Sequence, residues 1–115
     1  MRKITLWIIV LALLVAIAPE FTTSAEASVM HRIVNNTGYT VTRVFIRRSS
    51  SDSWGRNWLE GHGNLRTGND LQVSLEPGTY DIMLVDTDGD TYIRMRQGVR
   101  ENMRTTFTID HMTRG

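Results

Sequence analysis

Cysteine is absent from this 115-residue chain. That removes disulfide staples, thiol nucleophiles, thiolate metal ligands and lipid attachment through an N-terminal cysteine. An excess of one charge is lacking too, with 13 basic against 12 acidic residues and a net +1. A nucleic-acid or polyanion binder carries a clustered positive excess, so that class is set aside. Lysine stops at Lys3, and every later basic residue is arginine. Arginine is the better partner for planar anions and interface ion pairs, although codon composition yields the same habit. No heptad, sustained helical periodicity or internal repeat occurs. The hydrolase signatures G-x-S-x-G and H-E-x-x-H are also missing, and His31, His62 and His111 stand far apart. The chain is therefore read as a non-enzyme, with a small hydrolase built on His62 and loop carboxylates as the remote alternative.

One long apolar run is present, "ITLWIIVLALLVAIA" over residues 4–18, just after Arg2 and Lys3. It is short for a spanning helix, which needs about 20 apolar residues, and fits the apolar part of an export leader. Two small-x-small sites follow it. Pro19 spoils the one ending at Ala18, so cleavage is expected after Ala27. The reading is a signal peptide over residues 1–27 and one domain over residues 28–115, exported to the periplasm or the medium without stable membrane insertion. Cleavage takes away Arg2, Lys3, Glu20 and Glu26 and leaves the charge balance unchanged.

The remainder consists of short alternating runs rich in Val, Ile, Thr, Tyr and Phe, punctuated by Gly, Pro and Asn. This pattern predicts an all-β fold, a single antiparallel β-sandwich of six or seven strands. Residues 29–34 open it and end at Asn35-Asn36-Thr37-Gly38. Residues 39–47 follow and, being apolar on both faces near their end, are expected to be a central strand. Leu71, Val73 and Leu75 alternate up to a Pro77-Gly78 pair that suits a type II turn. Tyr80, Ile82 and Leu84 form the next strand. Residues 91–96 put Ile93 and Met95 on one face and Tyr92, Arg94 and Arg96 on the other. Residues 105–109 close the fold with Phe107 and Ile109 inward.

Three features carry candidate chemistry. "DTDGD" places Asp86, Asp88 and Asp90 at alternate positions. These are the first, third and fifth positions of a calcium loop, but Thr91 and Gln97 stand where that loop needs glycine and glutamate. What remains is either half of a β-sandwich calcium site, completed by Asp52 or Asn57, or a hairpin tip with an Asp-Gly centre. Trp54 and Trp58 lie in loop chemistry, as a cap over the core or as a binding surface for a protein or glycan. Arg43, Arg47, Arg94, Arg96, Arg100 and Arg104 recur on strand faces, either as a stripe that grips phosphate or sulfate or as a solvated face.

The order of four short motifs, N-x-T-G at 35–38, W-G-x-x-x-L at 54–59, G-x-Y-D at 78–81 and D-x-D-G at 86–89, resembles a family of small exported bacterial β-sandwich domains of unknown function. The likeness spans residues 33–92. It implies a fold and an exported location, and no reaction. Asn57 stands where that family often has aspartate, and Trp58 where smaller residues are common, which weakens an inference of shared metal binding. The functional expectation is a monomeric, non-catalytic interaction module of the bacterial envelope or medium. It would use Trp54, Trp58, Arg94 and Arg96 together with the acidic turn at one end of the sandwich, and it needs no cofactor. The alternative is a calcium-stabilised module for glycan or lipid headgroups, held by Asp86, Asp88, Asp90 and Asp52.

Overall fold

Alternation sets the strands, and side-chain hydrogen bonds set the corners between them. The computed structural model describes residues 27–101 and 103–113; the expected leader, apart from Ala27, lies outside the described residues. The strands are β1 Val29–Asn36, β2 Val41–Arg48, β3 Asp70–Leu75, β4 Gly78–Asp86, β5 Thr91–Val99, β6 Met103–Thr108 and β7 Met112–Thr113. A 3-10 turn, Ile109–His111, precedes β7. The strands form a three-stranded sheet ordered β3-β1-β6 and a four-stranded sheet ordered β2-β4-β5-β7.

The two sheets pack face to face. Ile33, Val73, Leu75 and Phe107 of the first meet Val44, Ile46, Ile82, Leu84 and Tyr92 of the second in one buried cluster. Each fully buried side chain of this kind contributes about 1.5–3 kcal/mol through removal from water, so the core holds the fold without covalent help. The architecture is the expected all-β sandwich, with four corrections to its detail.

First, the sandwich is not wholly antiparallel. β1 pairs with β6 in parallel, His31 against Met103 through Asn36 against Thr108. Alternation reports which face a residue takes, not strand direction. A parallel partner needs a long crossover, and here the chain between β1 and β6 supplies it. Second, β2 is an edge strand, not a central one. Its open side is covered by the long loop that follows it. Val41 exchanges backbone hydrogen bonds with Leu65, and Val44 accepts from the Trp58 N–H. Third, Ile109 is 42% exposed, because the 3-10 turn breaks the alternation just past Phe107.

The Pro77-Gly78 pair also departs from expectation. Gly78 has no positive φ, whereas a type II turn requires one. β3 and β4 belong to different sheets, so the link between them is an arch rather than a hairpin. The Tyr80 hydroxyl steadies it by donating to the Glu76 carbonyl at 2.7 Å.

The arch from β1 to β2 is knitted by Asn35, which is fully buried. Its carboxamide donates to the carbonyls of Tyr39 and Leu65 at 2.8 and 2.9 Å. Its oxygen accepts from the N–H and hydroxyl of Thr37 at 3.1 and 2.7 Å. A buried amide costs stability unless its polar atoms are matched, and here they are.

Candidate functional site

The acidic turn links β4 to β5. Asp86 is 2% exposed, and both of its oxygens are engaged. Oδ1 accepts the N–H groups of Asp88 and Asp90, each at 2.9 Å, and Oδ2 accepts the Tyr92 hydroxyl at 2.8 Å. Burial, and then the Asp86 carboxylate, raise the Tyr92 phenol above its ordinary value, so it stays protonated and donates. Asp88 and Asp90 are exposed, and the three residues can bring one oxygen each within 4.8 Å of one another.

The expected partners do not join them. Asn57 Oδ1 accepts from the N–H groups of Val44 and Leu59, both at 2.9 Å, and so lies against β2. Asp52 sits in the turn after β2, where Ser49 donates to the Thr79 carbonyl and Ser51 to that of Arg48. Val41 faces Asp86 and Arg48 faces Tyr80 in the β2–β4 register. Asp52 is therefore at the opposite end of β4 from the acidic turn. The four-carboxylate set of Asp52, Asp86, Asp88 and Asp90 is not assembled.

The tryptophan loop is similarly divided. Trp58 packs against the core cluster with the Arg56 guanidinium 4.1 Å from its ring centre, which makes it part of a cap. Trp54 lies under the Arg47 guanidinium at 4.0 Å, on the outer face of the four-stranded sheet. Hence Trp54 and the acidic turn occupy different ends of β4, not one end of the sandwich.

Asp81 organises the Trp54 end. It is 1% exposed and accepts from Arg47 Nε at 3.1 Å, from the Ser49 hydroxyl at 2.7 Å and from the Arg96 N–H at 3.0 Å. Burial opposes its ionisation, but the bonds from Arg96, Ser49 and Arg47 outweigh that and hold its pKa below the ordinary value. Opposite Asp81, β5 carries an extra residue, since Ile82 pairs with Arg94 while Tyr80 pairs with Gln97. Arg96 sits in this bulge with φ 55, a conformation that is strained for a residue with a side chain.

The bulge separates the two arginines that strict alternation placed together. Arg94 donates to the Thr106 carbonyl of β6 at 2.7 Å and ties one sheet to the other. Arg96 is exposed.

The outer face of the four-stranded sheet has a composition unusual for a solvated surface. Phe45, Met83 and Ile93 stand side by side in register across β2, β4 and β5. All three are half-buried, and Met95 beside them is 51% exposed. Antiparallel sheets with one wet face usually carry polar residues there. Arg43 borders this row on one side, and Arg47, Trp54 and Arg96 border it on the other. Sequence reasoning missed Phe45, Met83 and Ile93 as surface residues. For Phe45 the signal is present in the two apolar faces of residues 39–47, a pattern that a central strand shares.

The histidines remain apart. His31 is fully buried and bonds the Thr105 hydroxyl at 2.8 Å. His111 accepts the Thr108 N–H at 3.0 Å, and His62 is exposed on its loop. Among the described residues none is hydrogen-bonded to a carboxylate.

No protein-family model and no curated protein matches the chain. Among solved structures, a protein from Eubacterium rectale determined by NMR is similar, with a TM-score of 0.50 and 14% identity over 72% of this chain and 79% of that one. At that identity the likeness concerns the fold alone.

Proposed function

We propose that the chain is an exported, non-catalytic binding module whose contact surface is the outer face of the four-stranded sheet. One observation carries this reading: the cross-strand row Phe45, Met83 and Ile93, with exposed Met95, lies on a solvated sheet face between arginines. Contiguous exposed apolar surface rimmed by polar groups marks interaction sites. Among the described residues the one acid on this face, Asp81, is buried and already bonded to Arg47, so the rim is left positive. Charge complementarity then favours an acidic protein segment carrying apolar side chains. Trp54, held flat by Arg47, is the aromatic anchor such contacts use. The export leader read from residues 1–27 supports an extracytoplasmic setting.

A photo-crosslinking residue placed at Met95 tests the reading in living cells, with one at exposed Asn69, in the turn before β3, as control. The expected result is a discrete adduct from position 95, absent from position 69 and lost on Arg43→Glu. Equal adducts from both positions, or none from either, would refute it. Adducts to polysaccharide in place of protein would overturn the choice of partner.

The calcium reading has weaker support. Asp86 spends both oxygens on donors of its own hairpin, two in the turn and Tyr92 of β5, which accounts for that residue without an ion. Equal melting temperatures in millimolar calcium and in chelator are expected; a ligand that binds only the native state must raise them.

A further inference from the structure

The opposite face of the molecule holds a second candidate site, and it rests on separate observations. A cavity of about 430 Å³ opens on the outer side of the three-stranded sheet, lined by Met30, Arg32, Gln72, Met103 and Arg104. That volume is within the range of small-ligand pockets, about 300–1,000 Å³. We propose that it binds an amphipathic anion, with a phosphate head between Arg32 and Arg104 and an alkyl body against Met30 and Met103.

The parallel pairing of β1 with β6 creates the site. It sets Arg32 directly beside Arg104, with strands about 4.8 Å apart. Like charges in neighbouring register positions destabilise a sheet. Asp70 reaches only Arg32, at 3.6 Å, and both side chains are more than a third exposed, so this pair offsets little of the repulsion. Arg104 has no acidic partner among the described residues. Two guanidinium groups with one weak counter-ion leave room for one more anion, and guanidinium is the side chain that grips phosphate through paired hydrogen bonds.

Gln72, in register with Arg32 from the other side, adds an amide that both donates and accepts. The apolar half of the ligand follows from the methionines. Met30 is 55% exposed and Met103 42% exposed, and both line the same cavity as the arginines. Methionine is unbranched and polarisable, and it suits flexible alkyl chains. An inorganic ion would leave these two side chains in water.

The test uses the protein purified in the form in which cells accumulate it. Dodecyl phosphate, kept below its micelle concentration, is titrated while the arginine Nε–H and methionine methyl resonances are followed by NMR. Saturable shifts are expected at Arg32, Arg104, Met30 and Met103. Arg104→Gln should weaken binding about tenfold, the loss of one charge-assisted contact. Inorganic phosphate should bind more weakly and leave the methionine signals in place. Competition by phosphatidylglycerol vesicles would identify the source as a membrane lipid. Retained monomer binding without such competition would identify a free amphiphile, and both results uphold the site. Shifts centred on Phe45 and Met83, indifference to both Arg32→Gln and Arg104→Gln, or equal affinity for the two phosphates would overturn it. Because these residues lie on the other sheet, failure here leaves the crosslinking result at Met95 untouched.

Discussion

Replacing Asp81 with alanine should be among the most damaging single changes in the molecule. The carboxylate is 1% exposed and accepts three hydrogen bonds. Bonds to charged groups contribute about 1.5–3 kcal/mol each, but they share one acceptor group and do not add. A second estimate comes from breaking a buried ion pair by removing one partner, about 3–5 kcal/mol. The Arg47 side chain retains 19% exposure, so water compensates in part, and the lower end applies. The alanine variant should therefore lose about 3 kcal/mol, a large share of a stability of about 5–15 kcal/mol.

Urea unfolding measures the loss through the midpoint at constant slope. Asp81→Asn, which keeps an acceptor for Ser49 and the Arg96 N–H, should lose less. Proton linkage gives an independent check. The folded pKa lies below the ordinary 3.8, so the unfolded state binds the proton more readily. Asp81's contribution is complete above pH 3.8, declines as the pH falls below it, and is gone beneath the folded value. The alanine variant should lack this part of the acid dependence. A loss under about 1 kcal/mol, the size of an ordinary neutral hydrogen bond, with an unchanged acid profile would refute the assignment of Asp81 as the organiser of this corner.

Other outcomes follow from the same geometry. Arg96→Gly should relieve the positive φ and stabilise the fold by about 1 kcal/mol, measurable as a rise in urea midpoint. It should also weaken crosslinking at Met95 if the Arg96 side chain serves the contact surface. Burial holds His31 below its ordinary 6.5, so its neutral form fits the core. Stability should fall as the pH drops below 6.5 toward the folded value, and His31→Leu should flatten that slope in thermal melts. Asn35→Ala leaves the Leu65 carbonyl without its side-chain donor and should lose about 2–3 kcal/mol by urea unfolding. Asn57→Asp keeps the acceptor used by Val44 and Leu59 and should melt close to the parent, while Asn57→Ala should not.

Strand positions were readable because burial has period two, and the strand interiors around Ile33, Val73 and Phe107 obey it. Sheet membership was not. Nothing local in Pro77-Gly78 distinguishes an arch between sheets from a hairpin within one, and nothing in residues 103–108 announces a parallel partner more than seventy positions earlier. Bulges hid the rest. One extra residue on β5 moved Arg96 away from Arg94.

The four motifs raise a sharper point. Asn35, Asn57, Asp81 and Asp86 each spend their side-chain oxygens on donors at a corner or an edge. Asn57 and Asp86, which suggested ligands, carry out with Asn35 and Asp81 the stapling that a chain without cysteine must find elsewhere. The surface residues with no motif, Phe45, Met83, Ile93 and the Arg32–Arg104 pair, became legible only once register placed them side by side.

The central position of β1 between β3 and β6 has a consequence for biogenesis. β1, the first strand among the described residues, waits for one of its two neighbours until Met103–Thr108 has followed it from the ribosome. Closing so distant a contact is slow. The three-stranded sheet is therefore completed only after β2 to β5 have been made, and until then β1 keeps one edge without its partner.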